Sequence, residues 1–385
     1  MDFSLTEEQR MVQDQARRFA EKEIRPSIEE DEKNHTFRPE LVRKMGELGF
    51  FGCSIPEEYG GNGMGFIESV LMTEQLAMVS PSWRLPFNMQ NIGPAMTVNQ
   101  FGTAEQKRVY IPGWVSGEKM GFFAITEPNA GSDVSSIKVT AKDMGDHWLL
   151  NGQKMWITNA SVGDVGLVYA CTDSEKKYKG LSCFIVDVRN SPGITTRAID
   201  TKLGLPCSPT GEIVFEETRI PKVNILGQPG DGFPICMWML NNTRLSCAAG
   251  ALGVEGACVD LAIKYANERI QFGQPVSKFQ LVQGQLAEMV AEHQAAQLLI
   301  YNAAHLKDKG LPNQMQTSVA KYFASEAAVR AANEAMKVFG SYGFSTEYPI
   351  ARFYRDVKSF QMVEGASNIE KLIIAGIACG HQPNR

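Results

Sequence analysis

The hydrophobic period of this chain changes twice. Apolar residues recur at helical spacing over about 1–120, at strand spacing over about 121–230, and at helical spacing again over about 231–385. Helices, then strands, then helices predict an α+β multidomain protein: an N-terminal helical domain, a middle antiparallel β-barrel or sandwich, and a C-terminal four-helix bundle. Alternating βαβ units are excluded, and no strand-GxGxxG-helix occurs, so nicotinamide binding through a Rossmann motif is not expected. A length of 385 residues agrees with two to three domains at about 150 residues each.

In the first region, Ser4 or Thr6 caps a helix running from Glu7 toward Ile24, with Pro26 just beyond it. Arg38-Pro39-Glu40 opens a second helix, Phe66 to Met78 a third, and Asn91 to Phe101 a fourth. Gly60 to Gly65 has glycines near nucleotide-loop spacing, but no hydrophobic strand precedes it, so it reads as a turn. In the second region, His147 to Thr158 reads as two strands joined by a hairpin at Asn151-Gly152. Gly121 to Thr126, Val165 to Cys171, Leu181 to Val188 and Glu212 to Phe215 are further strand candidates. The third region offers helices over 244–268, 280–307, 316–339 and 366–379. Gly250, Gly253 and Gly256 fall inside the first of them. Interior glycine costs about 1 kcal/mol against Ala, so three of them imply a helix or ligand packed very close.

Charge narrows the partners. Lys and Arg number 38 against 43 Asp and Glu, a net −5, which makes a poor general nucleic-acid binder. No apolar run approaches the roughly 18 residues of a membrane span; Leu372 to Cys379 is far shorter. The opening Met1-Asp2-Phe3, acidic soon after, shows neither a secretory nor a transit signal. The absence of any CxxC predicts a reduced, intracellular protein. Cys236, Cys247 and Cys258 read as small buried hydrophobes, and no Cys/His spacing matches a metal site.

Four segments carry chemistry. Thr126 to Asp133 is a turn of small polar residues after a strand, whose amides and hydroxyls suit a phosphate or a flavin edge. Trp156-Ile157-Thr158 puts an aromatic face and a hydroxyl at a strand end. Arg269 to Gly273, with Gln280, follows a helix end. Glu364 lies between apolar Val363 and Gly365; burial would raise its pKa toward that of a general base.

In this order and spacing the segments resemble the acyl-CoA dehydrogenase family, over essentially the whole chain. The motifs that carry the resemblance are Ala124 to Asp133, Trp156 to Thr158, Arg269 to Gly273 and Glu364-Gly365. The resemblance implies FAD, a homotetramer, and electron-transferring flavoprotein or a similar acceptor; a chain starting at the family's first helix further implies a bacterial cytoplasmic protein, with a processed mitochondrial-matrix one as the alternative. It makes Glu364 the base that removes the α-proton of an acyl thioester; the family's other base position is Thr243 here. It assigns flavin contacts to Phe123, Ile125, Thr126, Gly131, Ser132, Trp156 and Thr158. Arg269, Phe272 and Gln280 match contacts to the adenosine half of FAD, given across a subunit interface, and Ser132 and Arg244 match contacts to CoA. Departures are Lys337 and Ser341, near the FAD pyrophosphate, and Ala366 beside the base.

Arg84 stands amid apolar residues where fatty-acyl relatives carry no charge, with Trp83 and Asn88 close by. A guanidinium suits a terminal carboxylate because it binds it bidentately. This resembles the glutaryl-CoA dehydrogenase branch, as does Asn241 to Arg244. Its decarboxylating members have Tyr and Glu at the positions of Val363 and Ala77, so the resemblance is to the non-decarboxylating type, which makes glutaconyl-CoA. The alternatives are a dehydrogenase of another short-chain, branched, cyclic or aromatic-succinyl acyl-CoA, or the decarboxylating enzyme.

Overall fold

The computed structural model describes residues 4–381; the opening Met1-Asp2-Phe3 lies outside it. Seven helices come first: α1 Glu7–Phe19, α2 Ile28–Asn34, α3 Pro39–Glu47, α4 Phe66–Val79, α5 Pro81–Asn91, α6 Pro94–Phe101 and α7 Ala104–Val115. Thr6 caps α1, exchanging hydrogen bonds with Gln9 in a reciprocal box. The helical path runs on to Ile24, as the periodicity predicts.

Eight strands follow: β1 Gly121–Ala124, β2 Thr140–Asp143, β3 His147–Thr158, β4 Val165–Cys171, β5 Leu181–Asp187, β6 Ile194–Ala198, β7 Thr210–Pro221 and β8 Ile225–Leu226. They form one sheet in the order β6-β7-β3-β2-β4-β5-β8, with β1 alongside β4. Most pairs are antiparallel, but β4 runs parallel to both β1 and β2, so the sheet is mixed. β4 and β5 are buried on both faces. Leu167, Tyr169, Cys183 and Ile185 join the large core shared with the helices. Val168, Ala170, Phe184 and Val186 join a second core with Trp148, Leu150, Ile213 and Phe215.

The hairpin expected at Asn151-Gly152 does not form. β3 is a single twelve-residue strand paired with β7 along its length, and Asn151-Gly152 sits at a bulge in that pairing. The Asn151 side chain accepts the Glu217 N–H at 2.8 Å, and Gly152 has φ +130°. An Asn-Gly pair meets a bulge's need for unusual φ as well as a turn's; the distant strand β7 decides between them.

The last region holds α8 Gly232–Glu268, a short hairpin of β9 Ile270–Gln271 and β10 Gln274–Pro275, then α9 Gln280–Asp308, α10 Gln314–Phe339, α11 Pro349–Val357 and α12 Ser367–Ala378. α8, α9 and α10 pack on one another, and α12 packs on α10. Among the described residues one helix, α8, is long and apolar enough to cross a membrane by length and composition, but 83% of its most apolar stretch is buried inside the protein. It is the central core helix. Its glycines make that possible: a Cβ on Gly253 would fall 2.3 Å from the Glu74 carbonyl oxygen of α4, and one on Gly250 2.9 Å from Arg84 Cγ. Cys236, Cys247 and Cys258 are all fully buried there.

Candidate active site

Glu364 lies on the loop between α11 and α12, and the loop is held by buried charge. Arg244 of α8 donates Nε to the Glu364 carbonyl at 3.1 Å and approaches Glu370 Oε1 of α12 at 3.0 Å. Lys321 of α10 donates to the Gly365 carbonyl. Burial pushes the Glu370 carboxyl up, against the opposing pull of Arg244. Glu364 itself has φ +56°, a left-handed conformation that costs a non-glycine residue about 1–3 kcal/mol. Gly365 follows at φ +111°, and a Cβ there would fall 2.0 Å from Glu370 Oε1. Three helices thus force the turn that presents the Glu364 side chain.

That side chain meets Arg84. Arg84 Nη2 donates to Glu364 Oε1 at 2.6 Å, and the two side chains are 1% and 6% exposed. Burial works against the Arg84 charge, but the Glu364 carboxylate outweighs it and raises its pKa. Arg84 is on α5, with Asn88 one turn later on the same face. Its guanidinium carbon lies 5.8 Å from the Phe360 ring centre. Several buried atoms here have no hydrogen-bond partner: Arg84 Nε, both amide atoms of Asn88, and Glu364 Oε2. Buried polar atoms are normally paired, so this group has the donors and acceptors for a small polar ligand. Ala77 is buried on α4 against Gly253. Val363 packs half-buried on the core, and Trp83 stacks on Phe37 with ring centres 5.4 Å apart.

The flavin candidates gather at two adjoining strand ends. Phe123 lies in β1 and Ile125 and Thr126 follow its end, where the Met155 N–H of β3 donates to the Thr126 carbonyl at 2.9 Å. A second bulge in β3, between Lys154 and Ile157, gives Trp156 φ +62° and leaves its ring 55% exposed. Bulges re-aim side chains beside functional sites. Thr158 follows, half-buried, and Gly131 and Ser132 lie exposed on the loop after β1. An open aromatic face flanked by hydroxyls and main-chain edges fits a flavin ring. Buried Lys154 braces the edge: Nζ donates to the Ile125 carbonyl at 2.8 Å and pairs with Glu127 at 2.9 Å.

The adenosine-half candidates form another group. Arg269 ends α8, its guanidinium 5.5 Å from the Tyr342 ring centre. Phe272 and Gly273 tip the β9–β10 hairpin at φ +50° and +77°, and Phe272 is 94% exposed. Gln280 at the start of α9 and Ser341 after α10 are exposed, as are Leu281 and Phe344. Lys337 pairs with Glu334.

Sequence reading missed Lys321, Phe360 and Lys154. Lys154 lies between the two bulges, in the segment taken for half a hairpin; the buried alternation Trp148, Leu150, Lys154 was its signal.

Three family models cover the chain: the acyl-CoA dehydrogenase N-terminal domain over residues 6–118, the middle domain over 122–218 and the C-terminal domain over 230–378. The chain belongs to the acyl-CoA dehydrogenase family, an enzyme class of FAD flavoproteins. It is 50% identical over 379 residues to a glutaryl-CoA dehydrogenase of Desulfococcus multivorans, covering 97% of each chain. The solved glutaryl-CoA complex of a glutaryl-CoA dehydrogenase matches 100% of this chain and 98% of its own, at TM-score 0.96 and 48% identity. A chain from a structure of the electron-transferring flavoprotein of Acidaminococcus fermentans matches 98% of this chain and 99% of its own, at TM-score 0.96 and 39% identity.

Proposed function

We propose that this enzyme oxidises glutaryl-CoA to glutaconyl-CoA and retains the distal carboxylate. The observation that carries the reading is Arg84, fully buried beside Glu364 with Asn88 unpartnered one turn away. A buried guanidinium requires an anion. Only the β- and γ-methylenes separate the α-carbon of a glutaryl group from its carboxylate. A base and an anion holder this close therefore suit a short diacid and not a long fatty chain.

Glu364 removes the α-proton, forming its own O–H bond as the α C–H bond breaks, and the electron pair becomes the new C=C bond. Its backbone N–H steadies the negative charge on the thioester oxygen, an effect of about 3–4 kcal/mol per donor. FAD, when bound, supplies the acceptor for the hydride leaving the β-carbon. Phe123, Ile125, Thr126, Gly131, Ser132, Trp156 and Thr158 hold its ring; Arg269, Phe272, Gln280 and Ser341 hold its adenosine and pyrophosphate end. Ser132 and Arg244 face CoA. Carbon dioxide loss would leave a dienolate that needs a proton, and Val363 and Ala77 offer none.

Residues 1–120, 121–230 and 231–385 act as three domains around this one site. The exposed apolar rim of Phe272, Leu281 and Phe344 supports a homotetramer. Electron-transferring flavoprotein takes the electrons, in a bacterial cytoplasm. An acyl-CoA panel with product mass spectrometry tests the reading: glutaryl-CoA should be the best substrate, yielding glutaconyl-CoA, and Glu364→Gln should cut turnover by about 10²–10⁴-fold. Stoichiometric crotonyl-CoA would overturn retention of the carboxylate.

A further inference from the structure

In the structure the base and the anion holder grip each other through one hydrogen bond, while Glu364 Oε2 and Arg84 Nε stay without partners. Glu364 Oε1 accepts the hydrogen bond from Arg84 Nη2 at 2.6 Å, deep enough that water screens neither group. The pair pins the Glu364 side chain against α5, and pulling it away without a substitute would leave a buried guanidinium without an anion. Yet Arg84 engages only one tooth of its fork. Nε has no partner, and neither does either amide atom of Asn88 on the same helix face. A second carboxylate can bind Arg84 through Nε and Nη2 together, the stronger bidentate geometry, with the Asn88 amide as a further donor.

We propose that Arg84 is a gate on the base as well as a grip on the substrate: the distal carboxylate takes Arg84 and so releases Glu364 for proton abstraction. This rests on the reading of Arg84 as the carboxylate holder. The other charged groups around the loop keep their posts meanwhile. Arg244 stays on the Glu364 carbonyl and Glu370, and Lys321 on the Gly365 carbonyl. Only Arg84 and the side chain of Glu364 change partner. Selection therefore acts on kcat. An acyl group without a distal carboxylate can enter, but it leaves the base locked.

Glutaryl-CoA is butyryl-CoA bearing a carboxylate on its last carbon, so butyryl-CoA with added formate supplies the same groups without the connecting bond. In the wild-type holoenzyme, formate should raise the kcat for butyryl-CoA saturably by about tenfold, part of the about 10²–10⁴-fold that a positioned base contributes. Chloride at equal ionic strength should do nothing, and formate should not raise kcat for glutaryl-CoA. Arg84→Met should abolish the formate response and lower kcat/KM for glutaryl-CoA about 30- to 3,000-fold. Arg84→Lys, which keeps the charge but not the fork, should retain a weakened response. If glutaryl-CoA is oxidised and formate leaves butyryl-CoA turnover unchanged, the gate is wrong and the substrate reading stands. If glutaryl-CoA is not oxidised, the substrate reading itself fails.

Discussion

The two ends of the site are built in opposite ways. At the base end, charged groups are buried and tied to other helices of the same chain: Arg84 to Glu364, Arg244 to Glu370, Lys321 to Gly365. At the cofactor end, the candidate side chains stand open: Trp156 is 55% and Phe272 94% exposed. Removing a proton needs a base held in one geometry, and a strained residue persists only where its surroundings over-determine it. A large cofactor needs surface to lie on, and part of that surface can come from another subunit. The base end should therefore fail through stability when disturbed, and the cofactor end through affinity and assembly.

The largest effect should come from Arg244→Ala. It leaves the Glu370 carboxyl buried without its cation and frees the Glu364 carbonyl. Breaking one partner from a buried pair costs about 3–5 kcal/mol. The urea midpoint should fall accordingly, with turnover falling as the Glu364 turn relaxes. A normal urea midpoint would mean that the loop is not held from α8.

Glu74 tests the buried side through pH. It sits on α4 beneath the site, accepts the Tyr301 hydroxyl at 3.2 Å, and is pushed up to about 7 by burial, against the pull of His293 and Arg17. An acid raised from 4.5 to about 7 holds its proton more tightly when folded. Its contribution is full below about pH 4.5 and is lost as pH rises through 7. Glu74→Gln removes that loss, so the variant should gain on wild type between pH 5 and 8, by on the order of 3 kcal/mol. Parallel stability–pH curves for the two proteins would refute the shift.

Much of this division was legible in the residues, for reasons that also mark where legibility stopped. The candidate base, the candidate substrate arginine and the candidate flavin strands sit in short contiguous motifs, so local pattern singled them out. The glycines of α8 announced close packing because an interior glycine has a cost that something must offset. α5 escaped because all eleven of its residues are buried and Pro86 interrupts it, leaving no polar face to set a period. α7, with Pro112 inside, hid for a similar reason. Asn151-Gly152 misled because β7, some sixty residues away, decides whether those residues turn or bulge. The Arg84–Glu364 pair spans 280 positions and has no local signature at all.

Phe272 supplies the smallest expected effect on the fold and the sharpest test of the contrast. Its ring touches its own chain mainly edge-on at Phe279, with centres 5.9 Å apart, and is otherwise open. Phe272→Ser should therefore change subunit stability by no more than about 0.5 kcal/mol, as is usual for a surface site. An exposed aromatic at the tip of a rigid hairpin is also what an interface anchor looks like, and truncating such an anchor costs about 2 kcal/mol or more in binding. FAD affinity by titration and assembly mass by sedimentation should thus both fall while the urea curve stays in place. If affinity and assembly hold instead, the hairpin serves neither cofactor nor partner, and the cofactor end must be completed by residues of this chain alone.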